Sequence, residues 1–214
     1  MSLAMDDSTV HIFWDHSNVY LSALDACERP SRKDKKKRIG FEVGNRADAR
    51  VHFHHLYEFA CAGRNVERAV GVGSIPPGLN ALWGSLKKAG VEVELQERGT
   101  ETGKEQAVDE ALQLHMLRSV LDRGDSPAVA VILTGDGGYH GDIQRMLDAG
   151  WGVEILCFGC SFSRKLRNMA KESHGRAKYV DLDGWYHQLV YLQGLDEGIL
   201  RPAETLDLAD RPHI

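Results

Sequence analysis

Long apolar runs are missing from this 214-residue chain, and none approaches the roughly 18–20 residues that a membrane-spanning helix requires. Residues 1–7 carry neither the basic nor the apolar stretch of a secretory signal, so a cytoplasmic location without membrane attachment is expected. Cysteine is scarce as well. Cys27, Cys61, Cys157 and Cys160 do not make a disulfide framework in a chain of this length, which agrees with a reducing compartment. Aromatic residues reach only 7%. The remainder is ordinary, 43% hydrophobic and 27% charged, the proportions of one globular domain.

The formal net charge of -5 conceals an asymmetry. Segment 29–40 holds seven basic residues and one acid, and segment 163–178 holds six and one, so the rest of the chain is strongly acidic. Such a distribution suits a polyanion held locally and repelled elsewhere. A solvated loop is the simpler reading of 29–40 taken alone. The candidates for contact with a phosphate backbone are Arg32, Lys33, Lys35, Lys36, Lys37 and Arg38 in the first segment and Arg164, Lys165 and Arg167 in the second. Ser163 reads as the N-cap of a helix whose N-terminus faces the same way.

Short β-branched runs at 10–14, 68–73, 91–95, 128–133, 153–158 and 178–181 alternate with helical stretches at about 46–62, 78–89, 104–123, 140–149 and 163–172. A last helix is expected after Asp183-Gly184, to about residue 193. This alternation predicts βαβ units, hence an α/β fold with three α/β/α layers around a mostly parallel sheet. The expected organisation is an N-terminal arm (1–9), one domain (10–193) with a basic inserted loop (29–40), and a C-terminal tail (194–214) of undetermined order.

In open parallel sheets ligands bind beyond the carboxyl ends of the strands, near the switch point. Asp15 ends the first predicted strand, and Asp136 follows the strand 128–133 by a Thr134-Gly135 step. Asp109 falls in line with Leu112, Met116 and Val120 near the start of the 104–123 helix, an acid on an apolar face that needs a partner or a capping role. Carboxylates packed within about 4–6 Å raise one another's pKa unless a cation neutralises them. A hard divalent ion with oxygen ligands resolves that conflict and supports phosphoryl chemistry.

Three stretches carry a resemblance. Phe13-Trp14-Asp15-His16-Ser17-Asn18, Val108-Asp109 and Leu133-Thr134-Gly135-Asp136-Gly137-Gly138-Tyr139 resemble, in order, motifs of the NYN domains, PIN-like metal-dependent ribonucleases. The helix, glycine turn and strand at 148–155 and the Ser-x-x-Leu helix at 161–169 are similar to the family's closing elements, so the likeness covers roughly 10–193. It implies a PIN-like fold and Mg²⁺- or Mn²⁺-dependent cleavage of RNA, single-stranded by expectation. Asp15, Asp109 and Asp136 would hold the metal, Asn18 would orient a water or ligand, and Lys104 would contact RNA. Three positions depart from the family pattern: Gly138 replaces its second acid, Tyr139 its Phe, and Lys104 stands further from Asp109 than the family places it. Asp142, one helical turn on, is the candidate replacement ligand. Loss of that acid allows a second reading, a weakened module that holds RNA or protein without cutting.

Other motifs are weaker. The glycine turn at 135–138 lacks the Lys-Ser/Thr of a Walker loop. A haloacid-dehalogenase-like phosphatase, the third reading, wants an acid where Ser17 stands. Cys157 and Cys160 have no second pair to complete a zinc site. His52, His54 and His55 read as a polar helix face. Among the aromatics Tyr139 is the candidate base stacker, with Trp151 and Trp185 assigned to packing. The oligomeric state stays open, a homodimer included.

Overall fold

The computed structural model describes residues 6–30, 39–41, 45–74, 80–96, 108–194 and 198–214. In chain order the elements are β1 (Asp6–Asp15), α1 (His16–Ala26), β2 (Ala49–Val51), α2 (Phe53–Cys61), β3 (Asn65–Ser74), α3 (Asn80–Lys88), β4 (Glu92–Gln96) and α4 (Val108–Arg123). After these come β5 (Ala128–Leu133), α5 (His140–Asp148), β6 (Gly152–Cys157), α6 (Arg164–Glu172), β7 (Ala177–Asp181), α7 (Tyr186–Leu189), β8 (Val190–Gly194) and β9 (Gly198–Arg201).

Six strands form a parallel sheet in the order β4-β3-β1-β5-β6-β7. Numbered along the chain among themselves, they run 3-2-1-4-5-6, the doubly wound order whose switch point lies between β1 and β5. All six predicted strands are present. β5 is buried at every position because helices cover both sides. Its alternation sorts the core: Val129, Val131 and Leu133 pack with Ile12, Trp14, Val19 and Leu56 on the side of α1 and α2. Ala128, Ala130 and Ile132 pack with Phe13, Leu112 and Met116 on the side of α4.

Three stretches differ from expectation. α1 was not anticipated; its start is set by Asp15, whose carboxylate caps it by accepting from the Asn18 N–H. The stretch 46–62 is not one helix but β2 followed by α2. His52 leaves helical geometry and caps α2, its Nδ1 accepting from the His55 N–H at 3.2 Å, while β2 pairs antiparallel with β8. The expected last helix shortens to a 3-10 turn and α7, then continues as β8, the middle strand of a small sheet β2-β8-β9.

The tail is ordered by charge. Glu154 on β6 is fully buried and receives Arg64 at 2.7 and 2.9 Å, Arg211 at 2.8 Å, and the Ile214 N–H at 2.9 Å. Burial pushes its pKa up, but the Arg64 hydrogen bonds and the charges of Arg211 and Arg64 prevail and hold it below the ordinary value. Arg211 also lies over the Phe59 ring at 5.0 Å, so the C-terminal residues seal the α2 side of the core.

Candidate carboxylate site

Strand alternation builds the site. Phe13 on β1 and Ile132 on β5 face α4, and Trp14 lies opposite Leu133 in the register. One further step brings Asp15 beside Thr134 on that same face. There the Thr134 hydroxyl donates to Asp15 Oδ2 at 3.1 Å, and the Asn18 N–H donates to Oδ1 at 3.0 Å. Asp15 is buried, and the N-terminus of α1 favours its negative charge.

The β5 end is fixed by the same groups. Thr134 Oγ1 accepts from the Asp136 N–H (3.2 Å), and Asn18 Oδ1 accepts from the Gly135 N–H (2.9 Å). Asn18 and Thr134 thus lock the ends of β1 and β5 together. Asp136 caps a 3-10 turn at Gly137–Tyr139, its Oδ1 accepting from the Gly138 N–H at 2.8 Å. Gly135 must be glycine, because a Cβ there would stand 2.4 Å from the Ser161 carbonyl oxygen.

Tyr139 ties in the third acid. Its side chain is fully buried, and its hydroxyl donates to Asp109 Oδ1 at 2.8 Å. Burial raises the Tyr139 pKa first, and the charges of Asp15, Asp109 and Asp136 all raise it further. One phenol therefore stands in the field of all three carboxylates, which arrive from β1, α4 and the turn after β5. No Lys or Arg pairs with Asp109 or Asp136 among the described residues.

Positive charge adjoins this rim. The Ser163 N–H donates to the Gly135 carbonyl at 2.9 Å, and a Cβ at Gly137 would lie 3.1 Å from Ser163 Oγ and 3.5 Å from Lys165 Cδ. Ser163 caps α6, as expected, by accepting from the Leu166 N–H. Arg164, Lys165 and Arg167 are exposed, and Arg167 lies 5.4 Å over the Phe162 ring.

A match to the NYN domain family spans residues 9–175. The chain is an NYN domain. Its fold is also similar to the crystal structure of a protein of unknown function from Vibrio parahaemolyticus, at 17% identity and a TM-score of 0.56, covering 82% of this chain and 94% of that one. No curated protein matches. Family membership brings a nuclease-type, PIN-like fold. Among the described residues no helix is long and apolar enough to cross a membrane.

The NYN domain brings Asp15, Asn18, Asp109 and Asp136 to one edge, the C-terminal end of the sheet. Asp142 pairs with Arg145 on its own helix at 2.5 Å. Tyr139 cannot stack on a base, because its ring is entirely covered; Trp14 and Trp151 are buried in the same way. Arg32, Lys33, Lys35, Lys36, Lys37, Arg38 and Lys104 lie outside the described residues. Of the clustered histidines, His52 is stacked on His55 at 3.7 Å, His55 is bonded to the Gln188 carbonyl, and His54 is exposed beside Glu58. All four cysteines are free thiols. Thr134 was missed as a site residue; its signal was its place between strand and acid.

The donor set is hard oxygen, the chemistry that Mg²⁺ or Mn²⁺ takes. Yet among the described residues no three His, Cys, Asp or Glu side chains are gathered closely enough to hold a metal ion. The chemistry fits such an ion, while the coordination set is not closed.

Proposed function

We propose that this NYN domain is a metal-dependent ribonuclease that hydrolyses single-stranded RNA. The observation that supports this reading best is that Asp15, Asp109 and Asp136 all lie in the field of the buried Tyr139 phenol, which donates to Asp109, at the switch point of a parallel sheet. A hard divalent ion held by these carboxylates would stabilise the charge that develops on the phosphoryl group and make water a better nucleophile. Asp15 keeps one orientation because both its oxygens accept hydrogen bonds from groups fixed at strand ends. Asp109, exposed at the start of α4, is aimed by Tyr139. Asn18 spends its amide oxygen on Gly135, so its NH₂ group is what it offers to a water or a phosphate oxygen. Arg164 and Lys165 at the start of α6 hold phosphates beside Asp136.

The test is incubation of labelled single-stranded RNA with Mn²⁺. Cleavage by the wild type, lost with EDTA and in Asp136→Asn, supports the reading; cleavage that survives both rejects it. Gly138 favours a second reading, an NYN module that binds RNA without cutting. A Cβ at Gly138 would lie 3.4 Å from Asp136 Oδ1, an ordinary contact, so an acid there is sterically admissible. RNA binding without cleavage in the wild type, with cleavage in Gly138→Asp, would support this second reading.

A further inference from the structure

The small sheet β2-β8-β9 is not part of the carboxylate site. Its strands alternate: Ala49, Val51, Val190 and Leu192 are buried in the core, so the residues between them face away. Arg50 and Tyr191 are direct cross-strand partners on that outer face, and Gln193 is paired with Ile199, which is 62% exposed. This face forms one wall of a groove of about 1000 Å³, and Tyr20 of α1 with His52 and Phe53 at the head of α2 form the other.

The lining has an unusual chemistry for an acidic protein. Asp and Glu are absent from it among the described residues, while Arg46, Arg50, His52 and His54 are present. Arg46 is engaged by Asp25 at 2.7 Å. Arg50 donates only to the carbonyls of Ala47 and Ala49, so its charge is not cancelled by a carboxylate among the described residues. Aromatic contacts run from the groove to the first residue of α1. His16, the residue after Asp15, is stacked on Tyr20 at 5.8 Å and tilted against Phe53 at 5.2 Å. Tyr20 lies five residues along the chain from Asp15, about 7.5 Å of helix rise.

We propose that this groove holds single-stranded RNA, with bases stacked on Tyr20, Phe53 and Tyr191 and phosphates facing Arg50. The identity of the nucleic acid rests on the ribonuclease reading; the groove's own chemistry supplies the rest. Planar rings that tolerate any base, next to an uncancelled cation, are what single strands need. An extended peptide would instead pair with a strand edge, whereas the wall here is a sheet face.

Fluorescence anisotropy of a labelled oligouridylate, in EDTA so that no turnover intervenes, tests this. Tyr20→Ala and Tyr191→Ala should each weaken binding roughly fivefold or more. Arg50→Gln should lower the salt slope by about 1. Ile199→Glu, at an exposed position that folding tolerates, should also weaken binding by placing a carboxylate in the groove. A 4-thiouridine probe should cross-link to Tyr20, Phe53 or Tyr191. Wild-type affinity in the folded Tyr191→Ala and Ile199→Glu proteins overturns the groove, and if the wild type still cleaves RNA the ribonuclease reading survives. Groove-dependent binding without any cleavage keeps the groove and rejects the ribonuclease. A wild type that binds no RNA but captures an unstructured peptide in this groove overturns the proposal in favour of a protein partner.

Discussion

Two groups of carboxylates, the first a lone glutamate and the second three aspartates, sit at opposite ends of one parallel sheet, and the chain treats them differently. Near the start of β6, Glu154 is wholly buried and is answered by two arginines and a backbone N–H. At the ends of β1 and β5, Asp15, Asp109 and Asp136 share a neighbourhood and receive hydroxyl and amide donors. The first group is neutralised from within, as a buried charge in a stable core must be. The second concentrates like charge around a phenol, which stability alone does not favour. Charge balanced by the chain's own cations marks structure; charge left for a cation from outside marks function. The helix basic at its N-terminus, α6, abuts the second group and not the first.

The contrast is most exposed to failure at Glu154. Glu154→Ala leaves Arg64 and Arg211 buried without their partner, and should cost about 3–5 kcal/mol by chemical denaturation while leaving Mn²⁺ binding unchanged. Substitutions at the other end should do the reverse. Asp15→Asn or Asp136→Asn should lower cleavage by about a hundredfold or more, and Asp136→Asn, whose amide oxygen can keep the Gly138 cap, should leave the melting temperature unchanged or raised, since like charge has been removed. A large loss of stability in Asp136→Asn would make the two groups alike and remove the functional reading of the second. Gly138→Asp should tighten Mn²⁺ binding by about tenfold through an additional carboxylate, measured by calorimetry.

A smaller effect concerns pH. Burial holds the His11, His52 and His187 pKa values below the ordinary 6.5, so the folded chain stays neutral where the unfolded chain takes up protons. Stability should therefore be flat above pH 6.5 and decline below it. Glu154 adds a second decline at more acidic pH, because its depressed pKa means that its contribution is lost as it protonates. Denaturation midpoints across pH 2 to 8 check both, and a midpoint that rises on acidification would contradict them.

The parallel sheet was readable from the sequence because its strands are short apolar runs, and a strand buried on both faces, such as β5, leaves no other interpretation. The acids at strand ends were readable for the same reason: Asp15 and Asp136 stand where the apolar runs stop. The small sheet was not. Its strand β2 has three residues, and the aromatic and histidine spacing of 51–59 fits a helix from its first residue until the His52 cap interrupts it. Nor could periodicity reveal that α4 buries Leu112 and Met116 while leaving Leu114, Leu117 and Leu121 exposed, since two apolar stripes run along that helix. Tyr139 looked like an exposed stacking residue because its position beside two glycines suggests an open turn. Only the fold buries its ring in the core on the α4 side and puts its hydroxyl on Asp109. The attachment of the tail was hidden too, for it depends on one glutamate that reads as an ordinary polar residue in β6.

The most direct measurement is a Mn²⁺ titration of the folded wild type and of its Asp15→Asn, Asp109→Asn and Asp136→Asn variants, followed by electron paramagnetic resonance without RNA. Saturable binding by the wild type, weakened in every one of the three variants, is the expected result. Binding that is absent from the wild type, or that none of the three substitutions alters, would contradict the shared cation on which the account rests.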